Sequence, residues 1–104
     1  ELNNDKDQSD IPEIFKLFPA YPNPFNPITT IRYNLLQNGL VNITIYDMIG
    51  RKVKTLVDQF QDSGYKYAVW DATNDYGKPV SGGIYIYQVN VGSHISTKKM
   101  VLLK

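Results

Sequence analysis

The sequence predicts an all-β domain, an Ig-like antiparallel β-sandwich of about seven strands. From residue 28 onward, apolar and polar residues alternate with a period near two, which is typical of half-buried strands. Turn signals interrupt this pattern roughly every 8–12 residues, and no stretch has the period of an amphipathic helix. A sandwich is favoured over a barrel because inward residues from two sheets suffice to fill a core of this size.

Residues 1–14 have the composition of a flexible linker, because charged and amide side chains dominate and little apolar surface is available for burial. The chain begins with neither a methionine nor a signal peptide, so we expect it to be a piece of a longer polypeptide. The folded domain is expected to occupy residues 15–104.

A proline-rich segment follows, with prolines at positions 19, 22, 24 and 27. Each proline fixes φ and removes a backbone donor, which excludes a helix and argues against a central strand. We therefore expect a stiff, extended edge segment, with Phe18, Tyr21 and Phe25 lying against the body of the domain.

Six further strands are predicted by the alternation, over residues 28–35, 41–46, 51–59, 65–70, 83–91 and 94–103. In the third of these, Val53, Leu56 and Val57 fall out of phase, which indicates a β-bulge. The predicted core consists of the inward residues Ile31, Tyr33, Leu35, Val41, Ile43, Ile45, Val53, Leu56, Trp70, Tyr85, Tyr87, Val89 and Met100.

The composition argues against several functions. A net charge of +1 is unlike that of a nucleic-acid binder, and no apolar run reaches the roughly 20 residues that span a bilayer. The chain has no cysteine and one histidine, His94, in a predicted hairpin turn, so a nucleophile–base pair or a zinc site has almost no ligands to use. We expect neither an enzyme nor a cofactor.

The polar loop at residues 71–79 is the best metal candidate. Asp71, Thr73 and Asp75 present oxygen atoms at alternate positions, as calcium loops do, but no late glutamate follows them. Asp and Asn side chains also build such loops by bonding to nearby backbone amides. A structural turn is therefore favoured over a calcium site.

Three stretches, in this order, resemble the type A C-terminal sorting domains of the type IX secretion system. They are the proline-rich segment at 18–31, a hairpin at 45–53, and the end of the chain from Trp70-Asp71 through SGGIYIY at 81–87 to KKMVLLK at 98–104. The resemblance extends from about residue 15 to the last residue. Ala72, where the family usually has glycine, and Gly82 depart from the usual pattern and affect the expected loop geometry.

The resemblance implies a sorting signal that follows an N-terminal cargo domain. It implies passage through the periplasm and the outer-membrane translocon, followed in many members by removal by a sortase-like peptidase, here within residues 1–14. The cargo would be secreted or held at the cell surface. The implied recognition residues are Gly82, Gly83, Tyr85, Lys98, Lys99, Met100, Val101, Leu102, Leu103 and Lys104.

Two alternatives remain open. The family also resembles the Ig-like domain of flagellar hook-capping proteins, which keeps an assembly role possible. The eight tyrosines leave open an accessory binding or spacer module, for polysaccharide or protein, although Tyr65, Tyr67, Tyr85 and Tyr87 are explained more simply by strand packing.

Overall fold

The computed structural model describes residues 15–104 and contains seven strands in two antiparallel sheets. They are β1 (Lys16–Leu17), β2 (Thr29–Leu35), β3 (Gly39–Tyr46), β4 (Lys52–Gln61), β5 (Gly64–Trp70), β6 (Gly83–Val91) and β7 (His94–Leu102). The sheets have the orders β1-β2-β5 and β4-β3-β6-β7. Within the described range there is no helix, and hence none that could cross a membrane. The predicted all-β sandwich is confirmed.

The core lies between the two sheets and takes buried side chains from both. All predicted core residues are buried except Val53 and Leu56. Burial also includes side chains that the alternation did not single out as core: Leu17, Ala20, Ala68, Ala72 and Leu102. Trp70 is fully buried, and its Nε1 donates to the carbonyl of Thr73. The centroid of its ring lies 5.8 Å from that of Phe25 and 5.2 Å from that of Tyr85.

The predicted bulge in β4 is present, and it explains the two errors in the core prediction. The pairing of β3 with β4 shifts register twice, between Ile43 and Thr44 and between Ile45 and Tyr46. Leu56 and Val53 are the residues left without a direct partner. Because a bulged strand bends and rotates its side chains, both are only partly buried against the core.

Two buried tyrosines form hydrogen bonds through their hydroxyl groups to residues outside their own sheets. The Tyr87 hydroxyl, on β6, donates to the carbonyl of Phe18 at 3.0 Å and accepts from the amide of Ala20 at 2.8 Å. Tyr33, on β2, donates to Gln61 Oε1 at 2.6 Å. Burial raises the pKa of Tyr87 and Tyr33, so both phenols stay neutral donors at physiological pH.

The proline-rich segment crosses from one sheet to the other. Tyr21 pairs with Thr30 in the three-stranded sheet, and Phe25 pairs with Leu102 in the four-stranded sheet. The expectation that Phe25 packs against the body is confirmed, since it is 2% exposed, whereas Tyr21 is 75% exposed and its predicted packing was wrong. Tyr21 lies opposite Thr30, a position on the outer side of β2, so its ring points to solvent.

Candidate functional site

The hairpin of β6 and β7 brings most of the implied recognition residues to one end of the sandwich. Gly83 is paired with Leu102, Ile84 with Val101 and Tyr85 with Met100. The start of β6 and the end of β7 therefore lie side by side, although about 20 residues separate them in sequence. The arrangement depends on the hairpin register, which the turn at Gly92 and Ser93 sets.

Gly82 directly precedes β6 and Gly83 is its first residue, and Gly82 lies close to Leu102 and Lys104. A Cβ at Gly82 would lie 3.1 Å from the carbonyl oxygen of Leu102 and 3.2 Å from the Cβ of Lys104, so a larger residue would push the terminus away. Gly83 has φ of +151°, a conformation that other residues rarely adopt. The double glycine thus permits close approach at the first position and an unusual backbone angle at the second.

Three of the implied recognition residues have buried side chains. Tyr85 is 7% exposed, Met100 is fully buried and Leu102 is 2% exposed. The Tyr85 hydroxyl donates to the carbonyl of Ser81, and its ring meets the edge of Trp70. Because their side chains face the core, these residues hold the β6–β7 hairpin in place, and their part in recognition stays a prediction.

The other residues of the terminal run are accessible to solvent. Lys99, Leu103 and Lys104 are exposed, and Lys98 and Val101 are half-buried. Lys104 is also tied back, because its Nζ donates to the carbonyl of Val80 at 2.7 Å. The surface at this end of β7 is therefore cationic, with apolar side chains between the lysines.

The proline-rich segment clamps the carboxyl end of β7 from its outer edge. The amide of Phe25 donates to the carbonyl of Val101 at 2.9 Å, and the amide of Leu103 donates to the carbonyl of Phe25 at 2.8 Å. Asn23 Oδ1 accepts from the amide of Val101 at 2.9 Å. These three hydrogen bonds, here called the Asn23–Phe25 clamp, close the edge of the strand.

Sequence reasoning did not identify Asn23 and Phe25 as contacts of the terminal strand. One signal was present: both alternate with prolines, which have no amide hydrogen. Phe25 therefore provides one of the few backbone donors of the segment, and Asn23 provides a side-chain acceptor.

The amino half of β7 has an open edge. In an antiparallel strand, neighbouring residues turn their backbone groups to opposite sides, and Val101 faces away from β6. Ile95, Thr97 and Lys99 therefore face the same way. Within residues 15–104 these three make no backbone hydrogen bond outside the β6–β7 ladder, and β7 has no strand on that side. This stretch, residues 95–99, is here called the open edge.

The turn between β3 and β4 lies beside the double glycine. Its Asp47 carboxylate accepts from the amides of Ile49 and Arg51 and forms an ion pair with Arg51 Nε at 2.9 Å. The hydrogen bond from the Arg51 amide, with those from Ile49 and the Arg51 guanidinium, lowers the pKa of Asp47. The turn and the first residues of β6 line a shallow groove of about 270 Å³.

The loop at residues 71–79 is built from local hydrogen bonds. Asp71 Oδ1 accepts from the amide and hydroxyl of Thr73, which lowers the Asp71 pKa, while Asp75 Oδ1 accepts from the amide of Thr55 on β4. Two of the three calcium candidates, Asp71 and Thr73, thus bond to each other, and Asp75 bonds to a neighbouring strand. No group of three His, Cys, Asp or Glu residues that could hold a metal is found in the part of the chain that the structure describes.

Ala72 stands where glycine was expected, and its conformation gives the reason for that expectation. Its φ is +65°, in the left-handed region, and its side chain is 2% exposed. Its carbonyl accepts from the amide of Val80 and closes the loop. Left-handed geometry at a non-glycine residue costs about 1–2 kcal/mol. The small methyl group fits, but the strain remains.

His94 begins β7, directly after the turn at Gly92 and Ser93, as predicted. Its ring stacks on Phe15 with the centroids 5.5 Å apart. The stack lies at the far end of β7 from the Asn23–Phe25 clamp. His94 therefore joins the first described residue of the chain to the β6–β7 turn.

A sequence model described as a secretion system C-terminal sorting domain matches residues 19–103. The match includes the proline-rich segment, both strands of the hairpin and nearly all of the terminal run. No curated protein matches the sequence.

Solved structures share the fold. Dimeric latent PorU from Porphyromonas gingivalis matches with a TM-score of 0.70 at 24% identity, over 86% of this chain and 9% of that one. PorZ, a surface component of the type IX secretion system of the same organism, gives 0.58 and 23% over 86% and 11%. FlgD of Xanthomonas campestris, from a study of flagellar hook capping, gives 0.58 and 21% over 92% and 71%.

Proposed function

The chain belongs to the family of secretion system C-terminal sorting domains and is a type IX sorting signal, and we propose that its receptor binds the last strand, β7. The family is non-catalytic, and its members are C-terminal tails of cargo proteins that are secreted or displayed at the cell surface. The proposal concerns how this signal is recognised, by which residues and along which route.

The open edge of β7 supports recognition by strand addition. Ile95, Thr97 and Lys99 turn their backbone donors and acceptors away from β6, and an extended segment of the receptor can pair with them. Main-chain pairing supplies affinity, and side chains at alternate positions supply specificity. This is the observation that carries the proposal.

The charge of the strand selects the partner. Lys98 and Lys99 lie within the open edge, and neither forms an ion pair within the described residues. Lysines on an edge strand discourage pairing with other strands of similar charge. A receptor strand with carboxylates opposite these lysines would overcome that barrier, so we expect the outer-membrane translocon to present an acidic, extended segment.

The Asn23–Phe25 clamp and the double glycine act as positioning elements. They hold the carboxyl end of β7 in register with β6, so Lys99, Leu103 and Lys104 are presented on a folded strand. We expect the receptor to contact the accessible residues Lys98, Lys99, Val101, Leu103 and Lys104, and to depend indirectly on Gly82, Gly83, Tyr85, Met100 and Leu102.

Processing is proposed upstream of β1. Among residues 15–104, the buried core begins at Leu17, so a cut within residues 1–14 leaves every described core contact intact. A sortase-like peptidase could thus separate the cargo domain from the signal after passage through the periplasm and outer membrane. The FlgD likeness, at 21% identity, shows a shared fold and does not by itself favour a hook-cap role.

The test replaces Thr97 by proline in a cargo carrying this chain at its C-terminus. The Thr97 amide points away from β6, so Thr97→Pro removes a donor of the open edge without breaking the β6–β7 ladder. We expect the cargo to accumulate in the periplasm. Thr97→Val, which keeps the amide, is the matched control and should be exported normally.

Thermal unfolding of the isolated chain shows whether both variants remain folded. Export of a folded Thr97→Pro protein at the wild-type level would contradict recognition through the open edge. Deleting the last six residues is a less informative test, because it also removes Met100 and Leu102 from the core.

A further inference from the structure

The outer surface of the three-stranded sheet has no role in the proposed recognition, and it carries an unusual set of side chains. Register places Arg32 opposite Tyr67 and Asn34 opposite both Lys16 and Tyr65, all on the side away from the core. Phe18 and Tyr21 continue the same side along the preceding segment. Lys16, Phe18, Tyr21, Arg32, Tyr65 and Tyr67 are together called the tyrosine face.

The three tyrosine rings of this face are open to solvent. Tyr21, Tyr65 and Tyr67 are 75%, 64% and 70% exposed. Tyr65 and Tyr67 are two residues apart on β5, so they lie on the same side of the strand with their Cα atoms about 6.8 Å apart. Large aromatic side chains grouped on one exposed surface usually mark a binding site, since their burial would be favourable.

Two cations are held at fixed positions within the same surface. Lys16 Nζ lies 5.1 Å and the Arg32 guanidinium 5.0 Å from the centre of the Phe18 ring. Such contacts orient a cation without neutralising it. Among residues 15–104, Arg51–Asp47 is the only ion pair found and none of the acidic residues lies on this face. Arg32 and Lys16 are therefore available for an anionic ligand.

The polar groups on the face favour a ligand rich in hydroxyl groups. Thr30 and Asn34 lie among the rings, and the tyrosine hydroxyls add further donors and acceptors. An apolar partner would leave these groups and the two cations without hydrogen bonds. A second copy of the chain packed on this face about a two-fold axis would bring its cations against these, which is unfavourable.

We propose that the tyrosine face binds an anionic polysaccharide. Sugar rings stack on Tyr67 and its neighbours, a carboxylate or phosphate of the ligand pairs with Arg32 and Lys16, and Thr30 and Asn34 bond to ring hydroxyls. The site is separate from the open edge of β7, which lies at an edge of the opposite sheet. Glycan binding thus adds a second activity to the sorting signal.

The experiment measures binding of the full chain to polygalacturonate by titration calorimetry, with fully methyl-esterified polygalacturonate as the neutral control. We expect binding to the charged polymer only, weakening as salt is added. Arg32→Gln should lower affinity about tenfold or more, because a charge-assisted hydrogen bond is lost, and Tyr67→Ala about threefold or more.

Matched controls remove the same groups elsewhere. Tyr76→Ala acts on a loop residue that is 87% exposed, and Lys52→Gln removes an exposed cation from β4. Both should bind as the wild type does, and all variants should keep the wild-type melting temperature. Arg32→Lys should recover part of the affinity because the charge is retained.

Several outcomes would overturn the proposal. These are no binding to polygalacturonate, equal binding to its neutral ester, or equal losses in the control variants. Equally tight binding to polyglutamate would assign the face to an acidic polypeptide. Binding to anionic vesicles in preference to the glycan would assign it to a membrane. A dimer that depends on Tyr67 would assign it to a second copy of the chain. Export of Tyr67→Ala at the wild-type level would show that this site and β7 recognition are independent.

Discussion

The two halves of β7 differ in how their outer edges are treated. At the carboxyl end, Val101 has both its outward amide and its outward carbonyl satisfied by the Asn23–Phe25 clamp. Along residues 95–99, the outward amides and carbonyls have no partner among residues 15–104. The carboxyl half is therefore built into the fold. The amino half is left as a short open edge that carries lysines.

This difference separates stability from recognition along one strand. The clamped end buries Met100 and Leu102 and joins the terminus to the segment that opens the domain. The open edge contributes few core contacts, since Ile95 is 66% exposed. Substitutions at the clamped end should therefore act mainly through folding, and substitutions at the open edge mainly through export.

Phe25→Ala should have the largest effect on the clamped end. The side chain is 2% exposed and packs against Trp70, so its removal leaves a cavity and should cost about 3–5 kcal/mol of unfolding free energy. Urea denaturation measures the loss. Phe25→Leu fills most of the space and should cost less. Equal stability of Phe25→Ala and wild type would show that packing of the Phe25 ring adds little to the fold.

Asn23→Ala should have a smaller effect at the same place. It removes the acceptor for the Val101 amide, which then turns to water, so we expect a loss of about 0.5–1.5 kcal/mol. Asn23→Asp keeps an acceptor oxygen and serves as the control in the same urea experiment. A loss in Asn23→Asp as large as that in Asn23→Ala would mean that the hydrogen bond is not the cause.

Asp47→Asn tests the turn beside the double glycine and should have the smallest effect, because its partner Arg51 is exposed and solvent screens the ion pair. The pKa of Asp47 is lower in the folded protein than its ordinary value of 3.8. Its carboxylate therefore stabilises the fold above that value, and the contribution is lost as pH falls through the lower, folded-state pKa.

The wild type should accordingly exceed Asp47→Asn slightly in urea midpoint at pH 7, and the two should converge in strong acid. Asp58→Asn, which removes an exposed carboxylate from β4 and leaves the turn intact, is a suitable control for the change in net charge. A difference between wild type and Asp47→Asn that persists below the folded-state pKa would rule out ionisation of Asp47 as its origin.

Local sequence patterns were enough to predict much of this protein. The period of two located the strands, the phase error at Val53 and Leu56 revealed the bulge, and the order of motifs identified the family. These signals are local, because strand period and turn chemistry act between residues close in the chain.

Only the tertiary structure decided which parts of the terminal run are exposed and which are buried. The bond between Asn23 and Val101 joins residues 78 positions apart, and no local pattern specifies such a pairing. Likewise, an alternating strand shows which residues share a face but not which face is buried, nor which edge is covered. Sheet order and the path of the proline-rich segment settled that Tyr85, Met100 and Leu102 face the core, while residues 95–99 keep an open edge.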